Sequence, residues 1–312
     1  MLPEEPYVVN CRKGLNRLES KKRYKKGLDH AGIFPYLMML PVIIFLCVFI
    51  FYPFLRTIYN TFFVTNISGN PTKFVGWKNW IRVFESAKYR NSLLVTFKFA
   101  GLIFLPSLVL GFILALIANQ KSRFSRVYEV LFSLPMAVAS APAAAIWRSI
   151  FNPSIGILNR VLGTNIEWLE TAPFAILAVA FITIWGRSAV NFLFLLAGLR
   201  AIPDDVIESS RIDGAGYFRR LFHIMIPLAS PQIFFVIFMS IISSLSAFGQ
   251  IKLLTGAGPN SSTDVLIYEI YSTAMVQTRF ETACVLSLIL FAITFLFTRI
   301  QFVVEKKVVT YL

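Results

Sequence analysis

Six stretches of the chain are almost uniformly apolar: about 34–54, 93–118, 127–150, 174–199, 232–254 and 283–304. A helix crossing a bilayer needs about 20 mostly apolar residues, so the pattern predicts an all-α, polytopic membrane protein with six transmembrane helices. The polar residues collect between these stretches and in a long N-terminal segment. Two parts follow: a basic tail over residues 1–30 and a transmembrane domain over 31–312. The first apolar stretch reads as a span, not a signal peptide, because it follows a long basic segment and lacks a small-residue cleavage site.

Composition agrees with the pattern. Of 312 residues, 56% are hydrophobic and only 15% charged, against about 25% charged in a typical soluble domain. The formal charge of +14 implies no nucleic-acid partner. In a membrane protein it records topology and contact with anionic lipid. Six spans put both termini on one side, and that side carries eighteen Lys and Arg, eight of them in the tail, against ten opposite. The positive-inside rule then places both termini in the cytosol, with the chain in a bacterial inner (plasma) membrane. Three scattered cysteines, and His30 and His223 far apart, offer no disulfide framework or metal set. The chain has no Gly-x4-Gly-Lys-Ser/Thr phosphate loop, and no nucleophile with an adjacent base. No cofactor is expected in this chain.

A charged island stands out between the fourth and fifth spans: Ile202-Pro203-Asp204-Asp205-Val206-Ile207-Glu208-Ser209-Ser210-Arg211-Ile212-Asp213-Gly214-Ala215-Gly216, continuing to Ile226-Pro227. It reads as helix, break, helix. Pro203 suits a first helical turn, and Asp204 and Asp205 lie near the positive end of the helix dipole. Val206, Ile207, Ser210 and Ile212 are spaced to give one packed face. Gly214 and Gly216 supply the flexible or left-handed backbone that ends the helix, and a second helix starts near Tyr217.

This island resembles the "EAA" loop of the permease subunits of binding-protein-dependent ABC importers. Glu208-Ser209-Ser210 stands where the family has Glu-Ala-Ala, Asp213-Gly214-Ala215 is intact, and Pro227 closes the motif. Further blocks resemble the carbohydrate-type, short six-span permeases in the same order. They include Tyr52-Pro53, Phe74-Val75-Gly76-Trp77-Lys78-Asn79-Trp80, the stretch from Pro135 to Trp147-Arg148 and Phe151-Asn152, Leu196-Ala197-Gly198-Leu199, and Leu254-Thr255-Gly256-Ala257-Gly258-Pro259. The resemblance implies a type I ABC importer permease fold with a cytosolic coupling helix. It implies that Glu208, Ser209, Ser210, Asp213, Gly214, Ala215 and Pro227 meet an ATPase. The implied partners are a second homologous permease, two ATPase subunits that hold ATP and Mg, an extracellular solute-binding protein, and membrane lipid.

Polar residues inside spans are candidates for the solute path. Arg187 sits mid-way along the fourth span, where an Arg costs about 2.5–3.5 kcal/mol on insertion scales. Asn191 lies four residues on, on the same helical face. Ser240, Ser243, Ser244 and Gln250 give the fifth span a polar stripe. Aligned with the maltose-type permeases, both regions fall where those relatives contact sugar. Equally, the serines can serve close helix packing and Arg187 can pair with a partner's carboxylate. An Arg facing the path would suit an acidic sugar or sugar phosphate, beside neutral oligosaccharides. The competing function is a stand-alone secondary transporter or channel, which would not need a coupling loop.

Overall fold

The computed structural model describes residues 34–120 and 122–309; the basic tail lies outside the described residues. The chain divides into two compact units, 1–57 and 58–312. In the first, described from Phe34, α1 (Phe34–Leu46) runs through one widened π turn (Cys47–Phe51) into α2 (Tyr52–Asn60), within which the boundary falls. The helix continues past residue 54, where the sequence pattern ends it. Tyr52 N–H donates to the Cys47 carbonyl five residues back, one residue before Pro53. Proline has no N–H to continue the α ladder, and the wider turn accommodates the gap.

The second unit opens with a feature absent from the all-helical expectation. β1 (Phe63–Thr65) pairs antiparallel with β2 (Pro71–Phe74), aligned Phe63 to Phe74, and α3 (Lys78–Glu85) follows. Asn79 ties them together, its Nδ2 donating to the Thr61 and Phe63 carbonyls, both at 2.9 Å. The hairpin is fixed to the last helix by Thr65, whose hydroxyl donates to Glu281 Oε2 at 2.7 Å.

α4 (Ala87–Ala118) and α8 (Ala172–Arg200) are the long central spans. They approach closely at Gly111, where a Cβ would lie 2.7 Å from the Asn191 Cβ and 3.1 Å from the Phe192 nitrogen. Small residues at such crossings replace the hydrophobic drive that lipid does not supply. α12 (Ser230–Leu245) and α13 (Gly249–Leu254) make the fifth span, and α15 (Phe280–Val308) the last. One buried cluster joins Phe99, Ile103, Val179, Ile182 and Ile251 in one half of the bundle. A second joins Ala115, Phe192, Leu195, Leu199 and Val236 in the other half.

The third span is not a straight helix. It is two helices, α5 (Ser125–Ala137) and α6 (Ser140–Ile150), bent by 97°, and the short α7 (Ile157–Leu162) follows before α8. Among the described residues five helices are long and apolar enough to cross a membrane, and six spans result if the bent pair counts as one. Val138 and Ala139 leave helical backbone, with ψ of 115° and 153°. Pro142 lies just after the break; it has no N–H to donate to the carbonyl four residues back, that of Val138, and its ring would clash with that carbonyl in a continuous helix.

Candidate functional site: the coupling loop and the polar contacts within the spans

α9 (Asp204–Ile212) begins with Pro203 as its N-cap, one position earlier than the first-turn placement expected from sequence. Its end is a left-handed cap. The Gly214 N–H donates to the Arg211 carbonyl and the Ala215 N–H to the Ser210 carbonyl, each at 3.0 Å, with Gly214 at φ +76°. This is the Schellman arrangement, which takes glycine at the left-handed position. Gly216 has φ −64° and caps the next helix, α10 (Tyr217–Arg220), so only Gly214 uses glycine's conformational freedom. Nothing lies within 4 Å of a Cβ placed on Gly214.

The packed face of α9 is narrower than its spacing suggests. Ser210 is buried and Ile207 half-buried, whereas Ile212 is 82% exposed. The Ser210 hydroxyl donates to the Ile207 carbonyl at 2.7 Å. A residue of serine size fits where a larger one would lift the helix off the bundle. Ser209 and Asp213 are exposed. Glu208 is exposed too, and has no hydrogen bond or ion pair among the described residues. Pro227 lies in α11 (Ile226–Leu228), directly after a π turn (Leu221–Met225) in which Ile226 N–H reaches the Leu221 carbonyl. That repeats the arrangement before Pro53.

Beside α9 opens a cleft of about 990 Å³, lined by Arg200, Asp204, Ile207, Arg211, Tyr217 and Arg220 among others. Arg200 is engaged with Glu129 at 2.5 Å and Ser125 at 3.3 Å, which pins the end of α8 to α5. Arg220 donates to the Ala215 carbonyl at 3.3 Å.

Within the spans, Arg187 is half-buried, and its Nη2 reaches the Ser243 carbonyl at 3.4 Å. It has no carboxylate partner among the described residues. One helical turn along, Asn191 accepts from Ser240 at 3.0 Å and donates to Ser107 at 3.5 Å. Asn191, Ser240 and Ser107 are all buried, so they knit α4, α8 and α12 together. Ser243 and Ser244 donate to carbonyls three residues back in their own helix. Gln250 is half-buried in α13. Trp185, two residues before Arg187, meets Trp147 edge-on, with ring centroids 5.6 Å apart.

A polar network that the sequence did not single out lies where the start of α4 meets α14 (Leu266–Tyr271). Lys88 Nζ contacts Glu269 Oε1 at 2.6 Å, Thr273 donates to the same oxygen at 3.0 Å, and Ser92 donates to Asp264 Oδ2 at 2.9 Å. Thr96 Oγ1 accepts from the Leu266 N–H at 2.7 Å. Its one sequence signal is a pair of acids, five residues apart, in a segment otherwise poor in charge. Burial, then the adjacent Glu269 carboxylate, push the Asp264 carboxyl up to about 6, against the opposing pull of Ser92 and Lys88.

Between the unfolded value of 3.8 and about 6 the folded chain holds a proton that the unfolded chain has released. Stability contributed by Asp264 is therefore full at low pH and falls as pH rises through that window. For a residue only 2% exposed the loss is about 3 kcal/mol above pH 6. Asp264→Asn keeps the shape without the charge. It is expected to raise thermal stability relative to wild type at pH 8 and to leave it nearly equal at pH 4, read as melting temperatures in detergent. A variant less stable at both pH values would show that Asp264 is buried as the carboxylate.

Comparison with known proteins places these elements in a family. Residues 107–310 match the family described as the binding-protein-dependent transport system inner membrane component. The sn-glycerol-3-phosphate transport system permease protein UgpA of Agrobacterium fabrum is 36% identical over 281 residues, covering 88% of this chain and 96% of the relative. The protein of that name from Yersinia enterocolitica is 34% identical over 279 residues, with 88% and 95% covered. Among solved structures, a chain of a bacterial ABC transporter that imports the acidic polysaccharide alginate superposes with a TM-score of 0.80 at 19% identity, covering 92% of this chain and all of that one. A chain of an amino acid ABC transporter gives 0.54 at 16% identity, with 74% and 98% covered.

Proposed function

This chain belongs to the binding-protein-dependent transport system inner membrane component family, and from that membership we propose that it carries an anionic, carbohydrate-like solute bearing a phosphate or a carboxylate. It is a multi-pass membrane subunit of an ABC importer for sugar-like solutes. The observation behind the anionic solute is Arg187, half-buried within a span and without a carboxylate partner among the described residues. A phosphate or carboxylate passing it accepts charge-assisted hydrogen bonds, which are stronger than neutral ones. Relatives named for sn-glycerol-3-phosphate support the same chemistry.

The engine, in this reading, is elsewhere. A second, homologous permease completes the path, two ATPase subunits hold ATP and Mg, and an extracellular binding protein delivers the solute. This chain itself catalyses no reaction. Both termini and the α9–α10 loop face the cytosol, where exposed Glu208 and the capped end at Gly214 meet an ATPase. Ser209, Ser210, Asp213, Ala215 and Pro227 shape that contact. Arg187 lines the solute path, flanked by Ser243, Ser244 and Gln250. Asn191 and Ser240 fix the spacing of the helices around it.

Reconstitution tests this directly. In liposomes the purified chain alone is expected to take up neither sn-glycerol-3-phosphate nor a neutral disaccharide, with or without ATP. With the second permease, ATPase and binding protein present, the phosphorylated solute should drive ATP hydrolysis and uptake, and the neutral sugar should not. Uptake by the chain alone would restore the stand-alone transporter. Stimulation by the neutral sugar only would overturn the anionic solute.

A further inference from the structure

α3 carries three distinct stripes. Asn79 and Val83 are buried against the body of the protein, Val83 in a cluster with Leu266, Val285 and Leu286 near the starts of α14 and α15. Trp77, Ile81 and Phe84 follow at i, i+4 and i+7, which puts them on one helical face. All three are more than half exposed, Trp77 at 64%. Between these faces run Lys78 and Arg82, also exposed, with no ion pair among the described residues. They line an open recess of about 470 Å³ with Ile81, Glu85 and Ser86. The hairpin extends the same composition, through exposed Lys73 and Phe74.

Trp77 touches Phe62 and Trp80, and Phe84 stacks on Trp80, yet the outer side of this aromatic and aliphatic face stays exposed, and with Lys78 and Arg82 along its edge it suits neither open water nor the acyl core. Water does not reward exposing Trp77, Ile81 and Phe84 together, and the acyl core would strand Lys78 and Arg82. The boundary between them satisfies both. Tryptophan is enriched at headgroup level, and amphipathic helices lie there with the apolar face sunk about 5–10 Å. α3 is also near that depth, because it ends at Glu85 and the apolar run of α4 begins at about residue 93, roughly two helical turns further on. The charge balance picks the lipid. Lys73, Lys78, Arg82, Lys88 and Arg90 outnumber Glu85 across residues 71–90, and among the described residues Lys88 alone of the five is in an ion pair, with Glu269.

We propose that the exposed face of α3 and the adjoining hairpin is a docking surface for anionic phospholipid, with Trp77, Ile81 and Phe84 in the acyl boundary and Lys78 and Arg82 on the headgroup phosphates. The surface anchors the outer loop at the bilayer independently of which solute is carried.

The test uses the full chain in nanodiscs of phosphatidylglycerol or phosphatidylcholine with brominated acyl chains. The emission of Trp77 is obtained as the difference between wild type and Trp77→Phe, a substitution that keeps an aromatic ring and should leave thermal stability unchanged. That difference signal should be strongly quenched by brominated phosphatidylglycerol and protected from aqueous iodide. In mixed-lipid nanodiscs, the Lys78→Gln/Arg82→Gln pair should lower the preference for phosphatidylglycerol over phosphatidylcholine by about 25-fold, since each basic residue near an anionic surface contributes about fivefold. Retained phosphatidylglycerol, counted by native mass spectrometry, is the second readout. Quenching of Trp77 by iodide instead of bromine would overturn the proposal. So would equal retention of both lipids by wild type and double variant, or shielding of Trp77 that arises only on adding a partner protein.

Discussion

Gly214→Leu is expected to abolish ATP-driven uptake while leaving the chain folded and inserted. Gly214 sits at φ +76° in the cap that ends α9, and a side chain there costs roughly 1–2 kcal/mol. Because no atom lies within 4 Å of a Cβ at this position, the penalty is local strain and not a clash in the core. The strain is relieved by unwinding the cap, which releases the Arg211 and Ser210 carbonyls and swings Glu208 relative to the bundle. Glu208→Gln probes the same contact by charge. Truncating one member of a desolvated, hydrogen-bonded ion pair costs about 2–5 kcal/mol, so ATPase association should weaken by about 30-fold or more. Co-purification with the ATPase, ATP hydrolysis and uptake are the measurements. Full transport with unchanged ATPase association in both variants would remove the loop from the coupling interface.

The loop was legible in sequence because its physics is local. Asp213-Gly214-Ala215 states the cap in three residues, and the structure adds only which glycine takes the left-handed position. The apolar runs were legible for the same reason, since burial in lipid is written in every residue of a span. Direction was not. The bend of 97° between α5 and α6 lies inside a run whose hydropathy does not change, and hydropathy has no orientation. Partnership was not legible either. Lys88 and Glu269 are 181 residues apart, and only the packing of α14 on α4 brings them together. Asn191 and Ser240 could be recognised as polar residues within spans, but not as partners of each other. Packing helices consumes their hydrogen bonds, whereas Arg187 is left with a carbonyl at 3.4 Å.

That remainder sets the largest single-residue expectation within the spans. A guanidinium whose one hydrogen bond among the described residues goes to the Ser243 carbonyl is poorly compensated, because a carbonyl supplies no charge. Arg187→Ala should therefore leave assembly and basal ATP hydrolysis close to wild type and lower uptake of an anionic solute on the order of 100-fold. That is the scale of about 3 kcal/mol for removing one partner of a buried charged pair. Arg187→Lys should recover part of the loss, since an ammonium keeps the charge but not the planar fork that grips two oxygens. If Arg187 instead pairs with a carboxylate of the second permease, the alanine variant strands that carboxylate and weakens the assembled complex by about 3–5 kcal/mol. Melting temperature of the complex, measured beside uptake of phosphorylated and neutral sugars, separates the two roles. A stable Arg187→Ala complex with unimpaired uptake would exclude both.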